Sequence, residues 1–151
     1  MSEGMTKTAA RNIFFGGTIF FFVIFVSMTV HSHFYIVEES TDASTLTESV
    51  EHGKRVWEKN SCINCHTLFG EGAYFAPELG KVWIKFGGDE DPEQGRETLK
   101  AWMEAMPTGI EGRRQMPQFN LTDQEHEDLA AFFEWISRID TQNWPPTPDD
   151  E

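Results

Sequence analysis

A mainly α-helical chain is predicted, with one long apolar helix near the N-terminus, a polar connection and then a small helical domain. Three features of the 151 residues predict it. From Ile13 to Val30 the chain carries no charge and is rich in Phe, Ile and Val. Beyond residue 47, apolar residues recur at three- and four-residue intervals, the period of a helix buried on one side. Among these stretches stands Cys62-Ile63-Asn64-Cys65-His66, on which the later part of the chain centres.

The first element is a membrane anchor. At ~1.5 Å per residue, Ile13–Val30 covers ~27 Å, and the uncharged run to Val37, with His31 and His33 neutral, covers ~37 Å. Either length crosses a bilayer. A cleaved signal peptide would have a shorter apolar region and a small-x-small end, whereas Val30-His31-Ser32-His33-Phe34-Tyr35 follows here. Phe14, Phe15, Phe20, Phe21, Phe22 and Phe25 surround the helix axis, which a buried soluble helix would not need. Lys7 and Arg11 precede the span and Glu38, Glu39 and Asp42 follow it. The positive-inside rule then puts the N-terminus in the cytoplasm and the later domain outside. His31, His33 and Tyr35 are read as interfacial anchors, and Gly16 and Gly17 permit close approach of a partner's helix. The expected boundaries are 1–12 for a cytoplasmic N-terminus, 13–37 for the anchor, 38–46 for a linker, 47–139 for the domain and 140–151 for an extended tail.

The net charge of −13 leaves no basic face for phosphate contacts, which excludes nucleic acid. After the first forty residues, about 110 remain. They can bury one core around a cofactor but not a catalytic domain besides.

The motif names the cofactor. Cys62 and Cys65 are spaced to add across the two vinyl groups of a haem, and His66 then lies under the iron as proximal ligand. A redox dithiol would need a strand before the pair, where helix is predicted. A zinc site would need two further ligands, but the chain has two cysteines in all and no H-x3–5-H pair. A single covalently bound haem c follows.

Thr45-x-x-Glu48 has capping-box spacing, and Val50, Gly53, Val56 and Trp57 then mark a helix running to the motif. The glycines and proline of Thr67–Gly80 predict a loop around the haem edge. Asp91-Pro92 opens the next helix, with Leu99, Trp102, Met103 and Met106 as its apolar stripe, ended by Pro107 and Gly109. Thr122-x-x-Glu125 caps the last helix, whose stripe is Leu129, Phe132, Phe133 and Ile136. Four residues past the motif could supply a sixth ligand. Met103 and Met106 are expected in the core and His126 in solvent; Met116, in a loop before Pro117, can reach the open haem face. With His66 and Met116 both on iron there is no vacant position for a substrate, so no catalytic centre is expected in this chain.

Gly53 with Trp57, and Met-Pro-x-Phe-x-Leu-Thr-Asp-x-Glu from Met116 onward, resemble the terminal helices and methionine loop of class I cytochromes c. That resemblance implies a class I cytochrome c-like haem domain and a proline carbonyl on the proximal imidazole, here from Pro77. In the tail, Trp144-Pro145-Pro146-x-Pro148 excludes regular helix and sheet. It is either a frayed acidic end or a strap holding Trp144 against a partner.

Four stretches go further: Cys62–Leu68, Gly70–Leu79, Arg114–Pro117 and Ile139–Pro146. Together they resemble the cytochrome c subunit of bacterial cytochrome c-dependent nitric oxide reductase. The resemblance implies an electron-transfer subunit on a large polytopic catalytic subunit that carries haem b, haem b3 and non-haem iron. A soluble cytochrome c or cupredoxin would be the donor, the haem domain would be periplasmic, and the anchor would cross the bacterial inner membrane. It also implies a calcium ion at the subunit boundary, with the Tyr74 hydroxyl and the Gly72 carbonyl as ligands from this side. Two alternatives remain: a monohaem subunit of another haem-copper oxidase such as the cbb3 type, and a free-standing tethered shuttle.

Overall fold

The computed structural model describes residues 4–144 except Thr108, Ile110 and Arg113. The chain divides into two compact units, 1–39 and 40–151.

The first unit is helical. Helix α1 (Lys7–Phe34) starts at Thr6, whose hydroxyl accepts from the Ala9 N–H at 3.2 Å. The helix does not stop at the predicted end of the anchor. It continues as a π-helical turn over Tyr35–Ser40, so the first residues of the expected linker are helical. From Lys7 to Ser40 its mean hydropathy reaches 2.3 and none of its apolar window is buried within the protein, as expected of a helix whose solvent is lipid.

The second unit is the predicted helical domain. A 3₁₀ turn (Ala43–Thr45) leads into α2 (Glu48–Lys59). Thr47 caps α2, accepting from the Val50 N–H; Thr45 was expected in that role. Thr45 instead accepts from the Trp135 indole at 2.9 Å, which ties the connecting segment to the last helix. A second tie lies beside it. The Asp140 N–H donates to the Ser40 carbonyl at 3.0 Å, and the Ser40 hydroxyl donates to the Asp140 carbonyl at 2.8 Å.

Helix α5 (Asp123–Ser137) is the element on which the others pack. Its N-terminus is a full capping box between Thr122 and Glu125, as the sequence predicts. Helix α2 crosses α5 where Gly53 meets the Asp128 backbone, and Trp57 and Phe133 meet edge to face at 6.1 Å. The short α3 (Val82–Lys85), which the sequence reading did not foresee, carries Trp83 into the core at 2 % exposure. Helix α4 (Pro92–Glu104) opens on the predicted Asp91 cap and buries Leu99 and Met103, with Met106 following. Trp102 departs from the expected stripe. It is 52 % exposed and packs its ring near Phe86.

Candidate functional site

The site begins where α2 is broken. Asn60 caps the end of α2, and Ser61 adopts a left-handed conformation (φ +54°) that turns the chain into a 3₁₀ turn over Cys62–Asn64. The Cys62 carbonyl accepts from the N–H groups of Cys65 and His66 at 3.1 and 2.9 Å. Both thiols are free and half-buried. Burial pushes the Cys62 thiol up to about 11, with the neighbouring Cys65 adding to the effect.

The loop after the motif folds back over it. A two-residue antiparallel ladder pairs β1 (Thr67–Leu68) with β2 (Glu71–Gly72), turning through Phe69 and Gly70 at positive φ. The chain then returns to the motif. Ala73 N–H bonds to the Ile63 carbonyl at 3.0 Å, and Phe75 and Ala76 N–H groups converge on the Cys65 carbonyl at 3.2 and 2.8 Å. These contacts bring the Pro77 carbonyl to 2.7 Å from His66 Nδ1. A carbonyl can only accept, so Nδ1 carries the proton and the lone pair is on Nε2. That is the tautomer a metal-binding imidazole needs, with its second nitrogen held by an acceptor.

Glu78 was not singled out from sequence, yet it fastens this loop. Its Oε1 accepts from the N–H groups of Phe69 and Gly80 at 3.1 and 2.8 Å, while its Oε2 is buried without a hydrogen-bond partner among the described residues. An acidic residue directly after Pro77 and two before Gly80 is the only sequence signal of this cradle.

Met116 lies in the segment without regular structure that precedes α5. It packs, partly buried, against the core that Cys62, Leu68, Phe69 and Leu79 also border. Two free thiols, an imidazole with its Nε2 lone pair available and a thioether beside an apolar lining form a donor set that fits a covalently held haem. Met103 and Met106 are buried in the core as expected. His126 is not in solvent as expected. It is 6 % exposed, with Nδ1 at 3.0 Å from the Thr122 carbonyl, one turn back on the same helix.

The two residues read as calcium ligands belong to the same loop. Gly72 sits in β2 at φ +122°, while Tyr74 is 77 % exposed and its hydroxyl donates to the Gly70 carbonyl at 3.1 Å. Among the described residues, no three His, Cys, Asp or Glu side chains gather to hold a metal. Trp144 lies against Gly70, where an added β-carbon would meet its ring at 3.1 Å. It therefore packs on the chain's own loop; the prolines after it lie outside the described residues.

Comparison with known proteins bears on this arrangement. The cytochrome c family pattern matches residues 50–137. A nitric oxide reductase subunit of Halomonas halodenitrificans is 57 % identical over 98 % of this chain and 99 % of its own. The corresponding nitric oxide reductase subunit of Paracoccus denitrificans is 61 % identical over 97 % of both, and that of Stutzerimonas stutzeri 52 % identical over 99 % of both. The chain belongs to the family of nitric oxide reductase cytochrome c subunits. It is thus a component of an oxidoreductase complex, with a cytochrome c domain that implies haem c and an apolar helix that anchors it to a membrane.

Proposed function

We propose that this chain takes electrons from a soluble periplasmic cytochrome c or cupredoxin and passes them to the haem b of a polytopic catalytic subunit. That subunit, with haem b3 and non-haem iron, reduces two NO to N2O and water with two electrons and two protons. The observation that carries the proposal is the His66–Pro77 hydrogen bond at 2.7 Å, which presents Nε2 one residue after two free thiols. When bound, the haem supplies a one-electron iron couple.

The chain's own residues do the rest. Cys62 and Cys65 would hold one haem by thioether bonds, with His66 and Met116 as the ligands offered to its iron. With both ligands in place no position on the iron would be left for a substrate, which suits electron transfer. Pro77 fixes the His66 ring, and the thioether of Met116 favours the reduced state, which suits acceptance from a soluble donor. Calcium at the boundary with the catalytic subunit would take the Tyr74 hydroxyl and the Gly72 carbonyl, with the remaining oxygen ligands coming from outside this chain. The charges flanking α1 favour a cytoplasmic N-terminus and a periplasmic haem domain in the bacterial inner membrane.

Two experiments test this reading. Met116→Ala is expected to abolish the weak absorption at about 695 nm of an oxidised His/Met haem; an unchanged spectrum would overturn the ligand assignment. Purification in mild detergent should bring down a polytopic subunit with haem b and non-haem iron. Copper in the partner would favour another haem-copper oxidase, and a stable monomer with one haem c a free-standing shuttle.

A further inference from the structure

The segment carrying Met116 has no regular secondary structure, so side chains must hold it in place. On the α4 side the holds are plain. Gln118 Nε2 donates to the carbonyls of Glu104 and Met106 at 3.1 and 3.3 Å, and Gln115 Oε1 accepts from the Gly109 N–H at 2.8 Å. Arg114 reaches the other way. Its guanidinium carbon stands 4.0 Å from the centre of the Phe75 ring. Phe75 belongs to the loop that positions Pro77, and its N–H is bonded to the carbonyl of Cys65.

We propose that Arg114 is a positioning residue for Met116: stacked on Phe75, it latches the loop bearing one axial ligand to the loop that orients the other. This rests on the reading of Met116 as the sixth ligand. The stacking makes chemical sense at this position. The Phe75 ring is 50 % exposed, and a planar, weakly hydrated guanidinium can cover its face while keeping its N–H groups in water. Through Phe75 and Arg114 the Met116 segment is thus joined to Cys65 by one backbone hydrogen bond and one cation–π contact. Opening that contact frees the Met116 segment on one side while Gln118 still holds it on the other. Met116 then leaves the iron more often without the domain unfolding.

The test measures how fast added imidazole replaces the axial methionine in the oxidised, haem-loaded full chain in mild detergent, followed by loss of the absorption at about 695 nm. Arg114→Gln and Phe75→Leu are each expected to speed replacement about two- to five-fold, the range of an exposed cation–π contact. The double variant should be no faster than the faster single, and Arg114→Lys, which keeps the charge but has no planar group to stack on the ring, should restore only part of the original rate. Phe75→Leu keeps an apolar side chain and tests the ring alone if Arg114→Gln loads haem poorly. An unchanged rate in Phe75→Leu would overturn the latch, and so would single effects that multiply in the double variant. Absence of the 695 nm absorption from the unsubstituted chain would instead overturn the Met116 assignment and the latch with it.

Discussion

The backbone of Gly53 in α2 rests on the backbone carbonyl of Asp128 in α5, closer than any β-carbon would permit. An added methyl would also come within 2.6 Å of Phe132 Cβ, so neither neighbour can yield by turning a flexible side chain. Gly53→Ala is therefore expected to push the two helices apart and to cost about 1–3 kcal/mol, as overpacking of a tight core does. Denaturant unfolding of the haem-loaded chain checks this. An unchanged midpoint would mean that the helices can separate freely. The Trp57–Phe133 contact lies on the same interface, so the variant should also alter tryptophan fluorescence.

The bond from His66 to Pro77 predicts an effect on potential. Pro77→Ala keeps the carbonyl but releases the fixed φ that places it. A weaker bond makes the imidazole less basic and a poorer donor to ferric iron, so the reduction potential should move positive. Potentiometric titration of the isolated chain reads this directly, and a negative shift would contradict the role given to Pro77.

Glu78 predicts a contrast between two substitutions. Glu78→Ala leaves the N–H groups of Phe69 and Gly80 unpaired, at about 1–3 kcal/mol for each that stays buried. Glu78→Gln retains an acceptor for both and should cost less. Equal losses of stability and of covalent haem in the two variants would show that the cradle does not depend on the acceptor.

The capping box predicts acid sensitivity. The Thr122 N–H, followed by the Lys59 ammonium and the Thr122 hydroxyl, holds the Glu125 carboxyl down at about 2. The unfolded chain takes up that proton nearer its ordinary value of 4.5, so below that pH the unfolded state binds more protons than the native one. The contribution is complete above about pH 4.5 and is lost as pH falls toward about 2. Denaturant midpoints compared at about pH 5 and pH 3 should fall further for the parent chain than for Glu125→Gln.

Most of the fold was legible because its signals are local. The anchor shows in composition and α4 and α5 in their caps, while the meeting of α2 and α5 at Gly53 and Trp57 is what the resemblance to class I cytochromes c implies. The proposed haem attachment residues stand out because thioether chemistry fixes their spacing. What escaped depended on partners that spacing does not reveal. Thr47, directly before Glu48, caps α2, while Thr45 ends the preceding turn and accepts from Trp135, ninety residues away. His126 looked exposed among charged neighbours, yet its ring turns back onto the Thr122 carbonyl and is buried. Trp102 has stripe spacing but is half exposed beside Phe86, whereas Trp83, on a short helix that was not foreseen, is buried in the core. Arg114 and Glu78 stood in motifs that were read without assigning either a task. A stacking contact and a backbone cradle leave no mark in spacing.

The paired bonds between Ser40 and Asp140 have a topological consequence. They join the two ends of the helical domain through backbone and side chain alike. The hundred residues between them form a nearly closed circuit, so the position of the chain's break is not fixed by the architecture. A short peptide joining the two ends, with new termini opened at exposed Asp89 in the turn before α4, should yield a circularly permuted domain with the same helices. Such a permutant would carry its point of attachment at a different place on the surface and would separate folding from tethering.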